Sequence, residues 1–183
     1  MGHLLEKFHY CPICGSERFS VKNSKSKICR QCGFQYYLNV AAAVAGFIVS
    51  DKGELLLCRR AKEPQKGTLD LAGGFVDINE TAENALAREI KEELNLECKS
   101  LKYLFSVPNE YLYSDFTVRT LDLFFLVEIA DFSKLKCEDD VLDAFFIPFD
   151  KINIDEIGLK SIKIAVERFL KENSPQITQI NTN

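Results

Sequence analysis

The 183-residue chain has no tryptophan, two histidines and no apolar run of membrane-spanning length. The stretch AAAVAGFIVS at 41–50 is too short for a spanning helix, which needs about 20 residues, and reads as a buried strand. An apolar signal segment is missing from its start, and position 6 lacks the Ser or Thr that a myristoylation signal requires. No internal repeat is present. These absences point away from membrane-spanning, lipid-anchored and solenoid proteins. Basic excess is missing too: the formal net charge is −4 and the pI about 5.3, which disfavours broad nucleic-acid binding and makes a nucleic-acid partner unexpected. With 46% hydrophobic and 27% charged residues, the chain can bury one good core and carry a small additional module.

Seven cysteines are present, and four fall into a pattern. Cys11-Pro12-Ile13-Cys14 and Cys29-Arg30-Gln31-Cys32 are two CxxC pairs 14 residues apart, each followed by a glycine. This is zinc-ribbon spacing, and four thiolates make a closed tetrahedral Zn²⁺ site with no open position, hence a structural one. Disulfides are the alternative. The remaining Cys58, Cys98 and Cys137 are an odd number scattered through sheet or loop sequence, which favours a reducing compartment and a cytoplasmic location. They read as buried or incidental thiols. With four cysteines available, neither His3 nor His9 is needed as a ligand.

From Thr81 to Leu94 there is no Gly or Pro, and Asn95 is a suitable left-handed stop, so the segment reads as a helix. At about 100° per residue, Glu89, Glu92 and Glu93 share one acidic face, while Leu86, Ile90 and Leu94 form the apolar stripe beside it. Like charges at i+3 and i+4 repel by a few tenths of a kcal/mol per pair. Two offsets are open: an ordinary solvated face with Arg88 and Lys91 as partners, or a hard divalent cation such as Mg²⁺.

The surrounding spacing resembles the Nudix box: Gly74, five residues, Glu80, seven residues, then Arg88-Glu89-Ile90-Lys91-Glu92-Glu93-Leu94-Asn95-Leu96. Every charged position of that pattern is met over 23 residues, with Asn95 in place of the last glycine. The strand-like Gly53–Arg60, the lead-in Gly67–Gly74 and the acidic, aromatic-ended Glu138–Phe146 are also similar to that family, so the resemblance covers about residues 40 to 172. It implies an α/β fold, an α/β/α sandwich around a mixed sheet, here preceded by the ribbon. The expected domains are a zinc ribbon at 1–38, a Nudix domain at 39–172 and a loose tail at 173–183.

The resemblance also implies an activity: hydrolysis of a diphosphate linkage in a nucleoside diphosphate derivative such as ADP-ribose, a nucleotide sugar or a dinucleotide, with Mg²⁺ or Mn²⁺. That chemistry asks for neutralised phosphate oxygens and a deprotonated water, both of which a bound metal supplies. By resemblance the metal ligands are Glu89, Glu92, Glu93 and Asp140, with Glu138 and Asp139 as competitors for the last place. The catalytic set is Glu92, Glu89 and Arg88; the general base is Glu89, Glu92 or a loop acid, and Arg88 orients the glutamates. Glu80 has a structural and a functional reading of equal weight. Arg59, Arg60, Gly73, Gly74 and Tyr111 are the candidate substrate contacts, Tyr111 by stacking on a base. A zinc ribbon ahead of such a domain is similar to the NADH-diphosphatase branch. That branch's Trp-containing signature is missing from FSVPNEYLYSDFTVRTLDLFF at 105–125, so NADH specificity is not implied.

The coarse pattern predicts strands near 40–50 and 54–60, a loop leading to the box helix, strands at 101–107 and 116–129 joined by Asn109–Asp115, and a helix at 159–171. Family members often dimerise, which makes a homodimer an expectation. Two further classes stay open: a ligand-sensing or partner-binding protein on the same scaffold, and a ribbon that recruits RNA or protein through Lys22, Lys25, Lys27 and Arg30.

Overall fold

The computed structural model describes residues 2–113 and 116–173, with 111–113 described by their backbone alone. Of the expected tail at 173–183, Asn173 ends a helix, and residues 174–183, like the Tyr111 side chain, lie outside the described residues. The chain divides into two compact units, residues 1–40 and 41–183.

In the first unit, β1 (Phe19–Asn23), β2 (Ser26–Cys29) and β3 (Gln35–Tyr37) form an antiparallel sheet in that order. Its apolar cluster is small: Cys11, Phe19 and Cys29 are buried, with Phe8, Phe34 and Tyr36 packed against them. Lys27, expected in a basic cluster, is instead buried; its Nζ donates to the Phe8 carbonyl and lies 5.2 Å from the centre of the Phe19 ring. The register explains this, because Lys27 pairs with Val21 and so faces the same side as Phe19 and Cys29.

The second unit contains β4 (Ala41–Ile48), β5 (Glu54–Arg60), β6 (Leu69–Asp70), β7 (Ala72–Phe75), α1 (Ala82–Leu94), β8 (Cys98–Tyr113), β9 (Phe116–Ile129), β10 (Val141–Pro148) and α2 (Lys160–Asn173). One sheet has the order β7-β4-β9-β8, with β4 and β9 parallel and the other pairs antiparallel; a second has the order β10-β5-β6. β4 lies inside its sheet, so its near-continuous apolar sequence suits a strand buried on both faces. Ala85, Leu86, Ile90 and Leu94 of α1 pack against Val44, Ile48, Phe125 and Val127 on one face. Ile162, Ala165, Val166 and Phe169 of α2 pack against Phe47, Phe105 and Phe124 on the other, where Phe47 and Phe169 stack 4.1 Å apart. This is the expected mixed-sheet α/β architecture with a helix on each face.

Two sequence expectations are corrected. The loop before the box helix contains β6 and β7, each too short for periodicity to reveal. The connection at Asn109–Asp115 is mostly strand: β8 pairs continuously with β9 from Asn109↔Thr120 to Tyr113↔Phe116. Pro108 is accommodated because β8 is an edge strand of its sheet. Among the described residues, no helix is long and apolar enough to cross a membrane.

Candidate active site and cysteine cluster

In the first unit the two CxxC turns are closed by backbone bonds, Gly15 N–H to the Cys11 carbonyl and Gly33 N–H to the Cys29 carbonyl. They bring the sulfurs of Cys11, Cys14, Cys29 and Cys32 within 4.8 Å of one another. Cys11 and Cys32 stand 3.7 Å apart and Cys14 and Cys29 3.6 Å. Four sulfurs at the usual ~2.3 Å from one zinc would be separated by about 3.8 Å, whereas a disulfide would need about 2.05 Å. The cluster therefore fits zinc. Backbone N–H groups of Cys32 and Gln31 point at the Cys29 sulfur and hold its thiol down at about 6. Cys14, despite a lowering backbone bond at Ser16, is pushed up to about 12 by desolvation and the neighbouring thiols, so the metal-free sulfurs share protons that a metal would displace. His3 is engaged elsewhere, its Nε2 against the Asn23 carbonyl.

In the second unit, α1 carries the acidic face. Thr81 caps it by accepting from the Asn84 N–H, and Asn95 ends it in the left-handed conformation expected of it, with φ 54°. The three glutamates differ in burial. Glu93 is 6% exposed, while the Glu89 side chain is 16% exposed and that of Glu92 49%. Glu93 accepts the Gly73 N–H at 3.0 Å, and the Glu89 carboxylate lies against Gly74, where an added Cβ would come within 2.4 Å of it. Gly73 has φ 152°, and a Cβ there would lie 2.1 Å from the Val44 carbonyl oxygen, so β7 admits only glycine at that point.

Burial pushes the Glu93 carboxyl up to about 8, aided by the charges of Glu89, Asp70 and Asp140 and opposed by the Gly73 N–H. Glu89 is raised as well, first by burial, then against Arg88 by Glu92 and Asp140. The site thus concentrates negative charge that its own cations only partly answer. Arg88 supplies most of that answer: it donates to both Glu80 oxygens at 3.0 Å, to Glu89 at 2.8 Å, to Glu92 at 3.1 Å and to the Phe75 carbonyl. Glu80, lowered by its hydrogen bonds from Arg88, also accepts the Asp77 N–H and so anchors the arginine. Lys91 takes no part, pairing with Glu97.

Asp140 follows Asp139 in the turn before β10, and both pair with Lys62, a residue that sequence reasoning did not single out. Among the described residues the cysteine sulfurs are the one group of three or more ligand atoms within 4.8 Å. No three of Glu89, Glu92, Glu93 and Asp140 converge within that distance; Arg88 joins Glu89 and Glu92, and Lys62 pairs with Asp140.

The two candidate arginines separate. Arg59 donates to the Gly67 carbonyl at 2.7 Å and lies over the Phe145 ring, away from the cavity described next. Arg60 pairs with buried Asp70, donates to the Pro64 carbonyl and lines a cavity of about 180 Å³. Gly73, Gly74 and Asp140 line that cavity too, so it adjoins the glutamate face of α1. Asn109, Thr120 and Asp122 complete its polar wall. The signal that marks Asp70 and Asp122 in the sequence is an acid inside apolar alternation, in TLDL at 68–71 and again at 120–123. Cys58 is buried and Cys98 and Cys137 are partly buried, with burial raising each thiol.

Comparison with known proteins agrees with this architecture. The NUDIX domain family model matches residues 40–167. The ADP-ribose pyrophosphatase of Methanocaldococcus jannaschii is 35% identical over 150 residues, covering 81% of this chain and 83% of that protein. The NAD-capped RNA hydrolase NudC of Shigella flexneri is 34% identical over 99 residues, covering 54% of this chain but only 38% of that protein. A NUDIX hydrolase structure from Nitrosomonas europaea superimposes with a TM-score of 0.69 at 23% identity, over 90% of this chain and 91% of that one.

Proposed function

The chain belongs to the NUDIX family, and from that premise we propose that it is a pyrophosphohydrolase that cleaves the diphosphate linkage of a nucleoside diphosphate derivative, with ADP-ribose as the leading substrate. The observation that carries this reading is the glutamate face of α1, which backs onto Gly73 and Gly74 at the edge of a cavity that Asp140 also lines. The similarity to the archaeal ADP-ribose pyrophosphatase extends over most of both chains and supports the choice of substrate.

Glu89, Glu92, Glu93 and Asp140 would hold Mg²⁺ or Mn²⁺, because carboxylate oxygens suit a hard divalent cation, and a cation would relieve the crowding that adds to burial in raising Glu89 and Glu93. When bound, such a cation neutralises diphosphate oxygens and makes a coordinated water more acidic. Arg88 holds Glu89 and Glu92 in place through its hydrogen bonds. Glu92, the most exposed of the three glutamates, is our choice for the group that takes the proton from the attacking water, with Glu89 as the alternative. The diphosphate would lie at the glutamate edge of the cavity, bordered by Gly73 and Gly74, with Arg60, held by Asp70, at the adjoining wall. In the first unit the four cysteines would hold zinc for structure alone. That thiolate site belongs in a reducing compartment, so the cytoplasm is part of the proposal. A homodimer is also proposed, and a monomer mass by light scattering would remove it.

The test is a panel of ADP-ribose, nucleotide sugars, NADH, diadenosine polyphosphates, triphosphates and an NAD-capped oligoribonucleotide, with Mg²⁺ and with Mn²⁺. Release of nucleoside monophosphate from one class, abolished in Glu92→Gln at unchanged melting temperature, is the expected result. Silence across the panel would instead favour a binding protein on this scaffold. Turnover of the capped oligonucleotide alone would move the substrate class to RNA.

A further inference from the structure

On the hydrolase reading above, we propose that Asp122, backed by Thr120 and Asn109, is a receptor for a pair of vicinal hydroxyls on the sugar next to the diphosphate. It would thereby select sugar-bearing diphosphates over extended phosphate chains.

Strand register builds the receptor. Along β9 the alternation puts Thr120, Asp122 and Phe124 on the face that α2 covers. Phe124 lies between Ala45 of β4 and Phe105 of β8, and that row is core. The next two rows are Ala43, Asp122 and Val107, then Ala41, Thr120 and Asn109. Their side chains are too short to fill the layer that phenylalanines fill one row deeper. The space left is the cavity, walled on the helix side by Leu159 and Ile162.

Asp122 is 7% exposed and Thr120 2%. The Thr120 hydroxyl donates to Oδ1 of Asp122; among the described residues Oδ2 has no hydrogen-bond partner. Asp122 lines the cavity, so Oδ2 is open to it as an acceptor, and a ligand that brings a donor is favoured there. The single arginine of the wall does not fill that role, since Arg60 is committed to Asp70 and the Pro64 carbonyl. Asp70 is satisfied by Arg60 and the Leu71 N–H, and adds a second negative charge near Asp122.

Two carboxylates against one guanidinium repel an anionic group and welcome neutral donors. Vicinal hydroxyls offer two donors at the spacing of a carboxylate's acceptors. A nucleobase amine also offers two, but the cavity meets the diphosphate site directly at Gly73 and Gly74. The sugar, bonded to the phosphate, is therefore the group placed to enter first.

The experiment uses the full chain with Mg²⁺ and three compounds: ADP-ribose, its analogue lacking the 2- and 3-hydroxyls of the terminal ribose, and its analogue lacking those of the adenosine ribose. We expect one analogue to show a KM at least about tenfold above that of ADP-ribose. Asp122→Asn should raise the KM for ADP-ribose by a similar factor, move kcat far less, and add no further penalty with that same analogue. Asparagine can still accept the Thr120 hydroxyl, and the comparison of analogues on the unaltered protein does not depend on any variant folding. Equal KM values for all three compounds would overturn the proposal. So would an Asp122→Asn penalty of the same size with and without the hydroxyls. If nothing is hydrolysed, the hydrolase reading fails by itself, and calorimetric titration of ADP-ribose and both analogues in EDTA decides the receptor. Weaker binding of one analogue supports it, and equal binding overturns it.

Discussion

Residues 1–40 carry six lysines and arginines against two acids, a net charge of +4, whereas the rest of the chain carries 17 against 25, a net charge of −8. The whole-chain value of −4 hides this split. The two units also differ in what holds them together. The first buries little more than Phe19 and two cysteines in its apolar cluster, and a unit of about 40 residues is near the lower limit for a metal-free fold. The second packs two helices on opposite faces of a phenylalanine-rich sheet. On the zinc proposal above, sulfur and metal would substitute for a core in one, while in the other the core is large enough to carry an electrostatically unfavourable acidic site.

The sharpest way to break that comparison is to remove the zinc that the four cysteines are proposed to hold. Structural zinc in small modules is worth about 10–16 kcal/mol of binding free energy, which is folding free energy there. A strong chelator, or Cys29→Ser, should collapse the amide dispersion of residues 1–40 in NMR spectra while the helical far-UV signal of the rest persists. Dispersed ribbon resonances without zinc would show that the apolar cluster suffices. Next in size is catalysis. Glu92→Gln should lower kcat by about 10²–10⁴ if Glu92 is the base, with both units still folded. A loss below tenfold would shift the role to Glu89 or a loop acid.

A third prediction concerns pH in the metal-free protein. Glu93 has its folded value raised from the usual 4.5 to about 8, so the folded state binds the proton more tightly than the unfolded state. Its contribution to stability is fully present below 4.5 and is lost as pH rises to about 8. In EDTA the second unit should therefore lose a few kcal/mol across that window. Glu93→Gln should flatten the slope. A slope unchanged by the substitution would place its origin elsewhere. The smallest effect is expected at Lys62, whose pairs with Asp139 and Asp140 are exposed. Lys62→Met should leave melting unchanged and lower the Mg²⁺ concentration for half-maximal activity a few-fold, by removing a competing cation. A higher Mg²⁺ requirement would make Lys62 a support for Asp140 rather than a competitor.

Much of the site was legible because its spacing is local. Glu89, Glu92 and Glu93 share a helix face by periodicity, Thr81 and Asn95 mark that helix's ends, and the CxxC turns bring their sulfurs together within a few residues. Other features were not legible. Lys27 counted as one of a basic cluster until the pairing with Val21 turned it inward. Arg59 and Arg60 were equivalent in sequence, yet only Arg60 reaches the cavity. Asp70 and Asp122 stood out only as acids inside apolar strands.

The sequence by itself determined the family, the helix that carries the glutamates, and the four cysteines of the ribbon, because turns and helices translate short spacings directly into geometry. Only the tertiary structure decided that Ala43, Asp122 and Val107 form one row next to a core of phenylalanines. Strand register is a non-local choice, made when segments some 80 residues apart pair, and no spacing within either segment encodes it.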